Sequence, residues 1–398
     1  MPRIVMLLPD PPLPFGNAAA RWFYVLLRGL VARGHSVTAL AASADPADTG
    51  KVQALFPAPD YDVRLFPYAP RRGLWSKVDT LRRPLGYLYG PELRRDLAAE
   101  LARGADVLHI EQQWGGFLGL NHVDKALVHI HYLFEIDLAE EASLAGFAAV
   151  RRAAWFLAEG RILRRYPRIS TLTPRLTDRV REIAPRSEVH TVPLGLDLAL
   201  YPFVPSPPAR PPMLGLIGSF HWRPTHSAGV RLLTRLWPEI KRRVPEAQLQ
   251  VVGRKARSVL SEFLGTPDVT FAEDVPDTLP YFRATDVLLY APSRGSGMKV
   301  KVLEAFALGV PVVTTAEGIE GLPASDGEHA GVCEDDAGLI ERAVALLLDP
   351  GLRDRRRLAA RALLEVHCSP DPVLDQLERV YATILRENIT AVGVVPTF

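Results

Sequence analysis

The segment PSRGSGMKVKVLEAFALGVPVVTT, residues 292–315, combines residue types that could bind an anion. It reads as the end of a strand, a glycine-rich loop, an amphipathic helix and a further apolar strand. Backbone N–H groups at 296–299, together with the positive end of the helix dipole, would suit a phosphate group. Gly295 and Gly297 would let the backbone approach that group closely. The segment therefore predicts a phosphate site at the start of this helix.

Glu304 lies in the same predicted helix, seven residues after Gly297. This spacing is nearly two turns, which places the carboxylate on the side of the loop and about 10 Å along the axis. A carboxylate can accept hydrogen bonds from two neighbouring hydroxyl groups, so the pair of features suits a ribose diphosphate. The structural alternative is a tight turn between a strand and a helix, in which Glu304 pairs with Lys301 three residues earlier.

Two series of strands and helices must position these residues. The first series has a helix between its first two strands, which is typical of a parallel sheet covered on both faces. Its predicted strands are RIVMLL (3–8), SVTAL (36–40), DVLHI (106–110), KALVHIH (125–131) and RISTLT (168–173).

The second series follows a proline-dense segment, LYPFVPSPPARPP (200–212), that can continue neither helix nor sheet. Its predicted strands are MLGLIG (213–218), AQLQVVG (247–253), VTF (269–271), DVLLYAP (286–292) and VPVVTT (310–315). The pattern predicts an α/β fold with two doubly wound, Rossmann-like domains facing an interdomain cleft that binds the ligand. The predicted divisions are an N-terminal domain at 1–200, a linker at 201–212, a C-terminal domain at 213–370, and a helix and tail at 371–398 that pack back on the N-terminal domain.

Composition narrows the class of protein. The chain has 398 residues, and its 47 Lys and Arg against 45 Asp and Glu give no reason to expect nucleic acid binding. Two cysteines exclude a disulfide framework and a cysteine-rich zinc cluster. The N-terminus lacks the pattern of a signal peptide, and no apolar run approaches the ~20 residues of a membrane span. We therefore expect a cytoplasmic protein.

Two segments, 71–90 and 151–168, mix arginine with aromatic residues. They are typical of solvated helix faces that carry a stripe of core residues. The alternative is a surface for anionic lipid or an amphiphilic acceptor, with peripheral contact at the inner face of the membrane.

The segment GSGMKVKVLEAFALGVPVVTT, followed by GIEGL (318–322), resembles the C-terminal signature of the retaining GT-B glycosyltransferases of family four. The resemblance continues in other segments that occur in the family's order along most of the chain. These are PDPPLPFGNAAARWFYVLLRGLVARGHSVTAL, EGRILRRYPRISTLTPRLTDRV, VHTVPLGLDLALY, LGLIGSFHW and AQLQVVGR.

The resemblance implies a nucleoside diphosphate-sugar donor held by the C-terminal domain. It implies a glycan, lipid-linked or small-molecule acceptor held by the N-terminal domain. The implied reaction is sugar transfer with retention, without a metal or other cofactor. The site residues that it implies are Glu304 for the ribose, Gly295, Ser296, Gly297 and Met298 for the diphosphate or donor sugar, His131 near the donor sugar, and Gly16 and Asn17 in the first loop near the phosphates and acceptor.

The sequence departs from the family pattern at two points. Ser296 stands where many members have a second glutamate, which bears on the choice and orientation of the donor sugar. The family's arginine and lysine on the diphosphate are matched here by Arg223 and Lys299 as first candidates, with Arg254 and Lys301 as the others.

His129 and His131 form a His-x-His pair on a strand, and alternate residues of a strand share a face. Such a pair can bind a metal. Because no further ligand cluster is evident, we expect His129 to pack inside the sheet and His131 to reach the cleft, with no metal bound. Two alternatives to a transferase stay open at this point: a non-catalytic module that binds a sugar nucleotide or serves as a scaffold, and a sugar-nucleotide 2-epimerase.

Overall fold

The structure is a computed structural model that describes residues 2–70, 73–138, 146–203, 210–292 and 295–393. Side chains are described within these ranges except at 73–77, 147–148 and 388–393. Parts of three predicted features therefore lie outside the described residues: positions 71–72 of the first arginine-aromatic segment, the centre of the linker at 204–209, and the tail at 394–398. Residues 293–294 of the glycine-rich loop lie outside them as well.

The chain forms two compact units, one of Met1–Leu196 with Pro370–Phe398 and one of Asp197–Ser369. The first unit contains a seven-stranded parallel sheet in the order β3-β2-β1-β4-β5-β6-β7. Its strands are β1 (Arg3–Leu8), β2 (Ser36–Ser43), β3 (Asp62–Pro67), β4 (Val107–Glu111), β5 (Ala126–Ile130), β6 (Arg168–Thr171) and β7 (Glu188–Thr191). Every residue of β4 and β5 is buried, as expected for a parallel sheet covered on both faces.

The helices of the first unit connect successive parallel strands. They are α1 (Ala18–Ala32), α2 (Asp48–Leu55), α3 (Gly73–Arg82), α4 (Pro91–Ala102), the short α5 (Phe134–Asp137), α6 (Phe147–Leu163) and α7 (Pro174–Ile183). The apolar positions of α1 that recur at helical spacing, including Trp22, Phe23 and Leu26, are buried. α1 ends where Gly34 adopts a left-handed φ of +85°.

The second unit contains a six-stranded parallel sheet in the order β10-β9-β8-β11-β12-β13. Its strands are β8 (Met213–Ile217), β9 (Gln248–Gly253), β10 (Val269–Glu273), β11 (Val287–Tyr290), β12 (Val312–Thr314) and β13 (Gly331–Val332). Its helices are α8 (Arg223–Arg231), α9 (Trp237–Arg243), α10 (Ala256–Val259), α11 (Leu279–Arg283), α12 (Val300–Leu308), α13 (Asp336–Leu348) and α14 (Pro350–His367), with one π-helical segment, Leu232–Leu236, between α8 and α9.

The last helix, α15 (Pro370–Gly393), belongs to the first unit. It packs so closely on α1 that a Cβ added to Gly29 would lie 2.2 Å from Cδ1 of Leu374. The Arg33 guanidinium adds ion pairs to three carboxylates of α15, at 3.0 Å from Asp371, 2.6 Å from Asp375 and 2.7 Å from Glu378. Apolar contact and a charge cluster therefore join this helix to α1.

In both sheets the strand order reverses next to the first strand of the unit. The reversal lies between β1 and β4 in the first unit and between β8 and β11 in the second. Ligands of open parallel sheets bind beyond the carboxyl ends of the strands at such a reversal. The loops that follow these four strands are therefore the places to look for function in each unit.

Candidate active site

The loops after β8 and β9 approach each other through two glycines. Gly218 has a φ of +159°, and Gly253 has a φ of +135°, a value that side chains rarely allow. A Cβ on Gly253 would lie 1.9 Å from the Gly218 carbonyl oxygen. A backbone hydrogen bond of 2.9 Å from Phe220 to the Arg254 carbonyl also connects the two loops. Glycine is thus required where these strands end.

The glycine-rich loop after β11 extends further than the sequence predicted. Gly297 has a left-handed φ of +75°, and Lys299 is extended with φ −99° and ψ 92°. Neither conformation continues an α-helix, so α12 begins at Val300. The sequence placed Glu304 nearly two helical turns after Gly297, and that prediction is wrong. Glu304 lies little more than one turn inside, and residues 296–299 belong to the loop.

Lys299 stabilises this loop from within. Its side chain is 5% exposed, and its Nζ donates hydrogen bonds to the carbonyl groups of Ser296 (3.2 Å) and Gly297 (2.5 Å). The same Nζ lies 3.6 Å from a carboxylate oxygen of Glu320, which is buried as well. Lys299 therefore places a positive charge inside the loop that was predicted to bind phosphate.

Lys301 is a second, partly buried ammonium group in the same region. Its Nζ donates to Oγ1 of Thr225 at 3.1 Å and lies 4.2 Å from the centre of the Tyr290 ring. Burial, reinforced by the charge of Lys299 and opposed by Glu304, lowers the pKa of Lys301 to about 7. Glu304 is 8% exposed. Two cationic side chains, Lys299 and Lys301, thus lie at the beginning of α12, with the carboxylates of Glu304 and Glu320 near them.

The other predicted residues of this unit lie at the rim of the same loops. A Cβ on Gly295 would lie 2.9 Å from Cγ of Pro224, so the loop packs on the start of α8. Arg223 is the first residue of α8 and is exposed, and Arg254, directly after β9, is exposed too. Ser296 and Met298 are buried at 8% and 7% exposure. The predicted residues of the second unit therefore lie after β8, β9 and β11 and at the start of α12.

In the first unit, Gly16 and Asn17 form the end of the loop after β1. Gly16 has a left-handed φ of +95° and open space where a side chain would be. Asn17 is the N-cap of α1, because its Oδ1 accepts a hydrogen bond of 2.8 Å from the backbone of Ala20. The side-chain oxygen of Asn17 therefore serves to cap α1.

His131 follows β5 and contacts Glu111, the last residue of β4. The His131 Nε2 lies 2.5 Å from Oε2 of Glu111, so the imidazole donates from this nitrogen to the carboxylate. Burial lowers the pKa of His131, although the neighbouring carboxylate opposes that change. Glu111 therefore determines which way the His131 ring faces.

Glu111 is itself the centre of a buried cluster. Its other oxygen, Oε1, lies 3.1 Å from Trp22 Nε1, 3.3 Å from His129 Nδ1 and 3.1 Å from His109 Nε2. Glu111, His109 and His129 are all 0% exposed. Burial alone would raise the pKa of Glu111, but the three histidines outweigh that effect and hold the pKa well below its usual range.

A second buried carboxylate, Glu159 on α6, has a different environment. It accepts hydrogen bonds from Gln113 Nε2 at 2.7 Å and from the backbone of Phe134 at 3.1 Å and Glu135 at 3.4 Å. Burial raises the pKa of Glu159 to about 7 because these donors offset only part of the desolvation. On the same helix, Trp155 stacks on Phe134 with ring centres 5.1 Å apart, so at this position the predicted arginine-aromatic segment contributes core packing.

Two family models match the sequence of the chain. Residues 17–195 match the glycosyl transferase 4-like domain, and residues 211–349 match the glycosyl transferases group 1 domain. The chain belongs to the glycosyltransferases. A curated relative is the GDP-mannose-dependent alpha-(1-6)-phosphatidylinositol monomannoside mannosyltransferase of Mycolicibacterium smegmatis, 32% identical over 158 residues. That match covers 36% of this glycosyltransferase and 40% of the relative's length.

Solved structures share the fold over nearly the whole length of this glycosyltransferase. Sucrose-phosphate synthase from Thermosynechococcus elongatus has a TM-score of 0.72 at 18% identity, covering 96% of this chain and 99% of that one. Anabaena HepE in complex with UDP and glucose has a TM-score of 0.65 at 14% identity, covering 96% and 100%. The prediction of a GT-B fold with two Rossmann-like domains is confirmed. Within the described part of the chain, no helix is long and apolar enough to cross a membrane.

Sequence reasoning missed three side chains of this glycosyltransferase that the structure adds to the candidate sites. His109 and Glu111 lie in the apolar run DVLHIE, and their spacing did not match any known motif. Glu320 lies in the GIEGL segment that carried part of the resemblance, but nothing in its spacing pointed to Lys299. Each of the three acquires its partner by sheet pairing or loop packing.

Proposed function

We propose that this glycosyltransferase moves a sugar from a nucleoside diphosphate-sugar to a glycan, lipid-linked or small-molecule acceptor, with retention at the anomeric carbon. The name of the mannosyltransferase relative specifies GDP-mannose, and HepE was solved with UDP and with UDP-glucose. These compounds differ in base and sugar and share the nucleoside diphosphate. Both relatives therefore support a nucleoside diphosphate-sugar as the donor. They differ in the base and in the sugar.

The observation that carries the proposal is the partly buried Lys301 ammonium group at the start of α12, close to Lys299 and the glycine-rich loop after β11. Burying a positive charge is costly unless a partner compensates for it. The pKa of Lys301, lowered to about 7, reflects that cost. A diphosphate bound at the loop would supply compensating negative charge and would be held by the same groups.

The proposed chemistry breaks the bond between the anomeric carbon and the diphosphate and joins that carbon to a hydroxyl oxygen of the acceptor, whose proton passes to the departing phosphate. Negative charge then develops on the departing phosphate, where Lys299, Arg223 and loop N–H groups would stabilise it without a metal. Removing one well-placed donor of this kind typically costs about 2.7–4 kcal/mol in the barrier. Glu304 would accept hydrogen bonds from the ribose hydroxyls, which fixes the nucleotide relative to the loop.

The first unit would bind the acceptor and contact the transferred sugar. Because Nε2–H of His131 donates a hydrogen bond to Glu111, Nδ1 on the other edge of the ring is the nitrogen that would accept a hydrogen bond from a sugar hydroxyl. The loop of Gly16 and Asn17 would bind the acceptor or the phosphates, using the open space at Gly16. Ser296 would leave more room for the donor sugar than a glutamate at this position.

The test begins with thermal unfolding of the purified protein in UDP, GDP, ADP and dTDP. We expect one of the four to raise the melting temperature, since a ligand specific for the folded state stabilises it. Glu304→Ala should remove most of that rise. Glu262→Ala, which removes an exposed carboxylate of the same unit, is the matched control and should keep it.

The matching sugar nucleotides are then incubated with candidate acceptors, and released nucleoside diphosphate and products are measured. Transfer to an acceptor supports the proposal. Tight binding with no turnover across the panel would identify a binding module instead. An isomerised donor without transfer would identify an epimerase, and either result would overturn the proposal.

A further inference from the structure

The buried cluster around Glu111 contains a contact that hydrogen bonding between neutral histidine and carboxylate cannot explain. His129 Nε2 lies 3.1 Å from the carbonyl oxygen of Val192, which only accepts, so this nitrogen carries the proton. A neutral imidazole then presents a lone pair at Nδ1. That nitrogen lies 3.3 Å from the carboxylate oxygen Oε1 of Glu111. Two lone pairs facing each other repel, so a positive species must lie between them.

His109 presents a second nitrogen to the same oxygen. Its Nδ1 contacts the hydroxyl group of Tyr381 on α15. Its Nε2 is fully buried and lies 3.1 Å from Oε1 of Glu111, but away from the hydrogen-bonding direction, and it has no hydrogen-bond partner among the described residues. His109 therefore holds an unpaired nitrogen next to the place where His129 and Glu111 require either a proton or a metal cation.

We propose that His109 Nε2, Glu111 Oε1 and His129 Nδ1 bind a divalent transition metal ion of the zinc class. These three atoms lie within 4.8 Å of one another. Metal–nitrogen and metal–oxygen bonds of about 2.0–2.2 Å in a tetrahedral site place ligand atoms roughly 3.3 Å apart. The two separations from Oε1, 3.1 and 3.3 Å, agree with that spacing. Two imidazoles with one carboxylate favour zinc, cobalt or nickel over magnesium or calcium.

The groups around the three ligands suit a metal site as well. Histidines that bind a metal usually donate their other N–H to a second group, which fixes the tautomer and the ring orientation. The Val192 carbonyl accepts such a hydrogen bond from Nε2 of His129. The Tyr381 hydroxyl oxygen would accept one from Nδ1 of His109. A carboxylate oxygen has two lone pairs, so Oε1 of Glu111 can bind the metal and still accept from Trp22 Nε1 at 3.1 Å.

The remaining oxygen of Glu111 connects this site to His131. His131 Nε2 contacts Oε2, at 2.5 Å, and is therefore not counted among the metal ligands. A metal on Oε1 would fix the Glu111 carboxylate and, through Oε2, the His131 ring. The ion would thus orient the residue that the proposed function places near the donor sugar, without taking part in the transfer step.

The experiment measures metal binding by the full-length protein without any sugar nucleotide, so its result is independent of the proposed function. Protein purified without chelator is analysed for bound metals by mass spectrometry. After removal of metal, it is titrated with Co²⁺ while the visible absorption is recorded. We expect about one ion per chain and the intense bands of a tetrahedral Co²⁺ site, which an excess of Zn²⁺ abolishes.

Variants then locate the ion. His109→Asn and His129→Gln should each lower the affinity for Co²⁺ by at least tenfold. His131→Gln should retain one ion per chain because His131 contacts the oxygen that the metal does not use. His122→Gln, outside the cluster, is the matched control. Circular dichroism identifies variants that fail to fold. If a variant fails to fold, the number of metal ions bound per chain of the unaltered protein tests the proposal instead.

The competing occupant is a proton on His129 Nδ1, which would give an imidazolium paired with Glu111. Nitrogen-15 spectra of labelled histidine distinguish the two. A doubly protonated His129 whose signals ignore saturating Zn²⁺, together with less than a tenth of an ion per chain, would overturn the proposal. Signals of His109 and His129 that shift on Zn²⁺ addition, with Nδ1 of His129 unprotonated, would support it.

Discussion

The two units hold their charged groups in opposite ways. In the first unit a fully buried carboxylate, Glu111, is surrounded by imidazoles, and its pKa lies well below the usual range because the histidines outweigh its desolvation. In the second unit two ammonium groups, Lys299 and Lys301, lie close together at the start of α12, and the pKa of Lys301 falls to about 7 because burial and Lys299 outweigh Glu304. The first arrangement surrounds a negative charge with groups that can hold a proton or a metal cation. The second would be stabilised by an anion, which is the chemistry of a diphosphate donor.

The most direct way to break this comparison is to remove a cation from the second unit. Replacing Lys299 by methionine keeps the length of the side chain but deletes the charge and its bonds to the Ser296 and Gly297 carbonyls. If Lys299 stabilises the departing diphosphate, kcat should fall by about 10²–10³-fold. The measurement is the rate of nucleoside diphosphate release at saturating donor and acceptor.

Lys241→Met is the control, because it removes an ammonium of the same unit that pairs with Asp268 at 2.7 Å on the surface. It should leave kcat within twofold of the unaltered protein. A Lys299→Met variant that folds and keeps a similar kcat would show that the loop charge has no part in the transfer step.

The second prediction concerns the close approach of Gly253 to Gly218, where the loops after β8 and β9 meet. Gly253→Ala would place a Cβ 1.9 Å from the Gly218 carbonyl oxygen at a φ of +135°. Steric overlap and backbone strain should together lower the free energy of unfolding by roughly 3 kcal/mol. Urea denaturation measures the change.

Gly265→Ala is a matched control, since nothing lies within 4 Å of the added Cβ. It should shift the unfolding midpoint little. Equal midpoints for the two variants would mean that the loops after β8 and β9 do not approach each other as closely as described.

Much of the fold could be predicted from the sequence because buried parallel strands are continuous apolar runs. RIVMLL, SVTAL and MLGLIG each correspond to a strand whose bounds differ by at most a few residues from the prediction. What the pattern could not predict was which strands are neighbours. Glu111 and His129 are 18 positions apart in the chain and become adjacent only through the pairing of β4 with β5.

The start of α12 shows a second limit. The spacing of apolar residues from Val300 onward does not mark the residue at which the helix begins, and the sequence predicts a start close to Ser296. The left-handed φ of Gly297 and the extended Lys299 delay that start to Val300. Glycine permits such a conformation without requiring it, so this boundary became known only from the backbone angles.

A third prediction sharpens the contrast within the first unit, where Glu159 is a buried carboxyl group without histidine neighbours. Its pKa is raised to about 7, above its value of 4.5 in the unfolded chain. The contribution of protonated Glu159 to the free energy of unfolding is fully present below pH 4.5 and is lost as the pH rises through 7. Its ionisation should cost on the order of 2 kcal/mol of unfolding free energy between pH 5 and pH 8.

Urea denaturation at several pH values measures that loss in the unaltered protein and in Glu159→Gln, which cannot ionise. The difference in stability between the two should grow in favour of the variant as the pH rises. Parallel profiles for the two proteins would mean that Glu159 titrates as an ordinary carboxylate.

The smallest expected effect tests the second unit through Lys301. With a pKa of about 7 in the free protein, Lys301 is half charged at neutral pH, and a bound diphosphate would raise that pKa by favouring the charged form. Binding would then take up a proton, so affinity for the preferred nucleoside diphosphate should weaken as the pH rises from 7 to 8.5. A change of up to about tenfold corresponds to 1 pKa unit, or about 1.4 kcal/mol.

Calorimetric titration measures this change in affinity, with Lys301→Met as the comparison. An identical pH profile in that variant would mean that Lys301 is not charged by the ligand, and the second unit would then rely on Lys299 and the loop N–H groups.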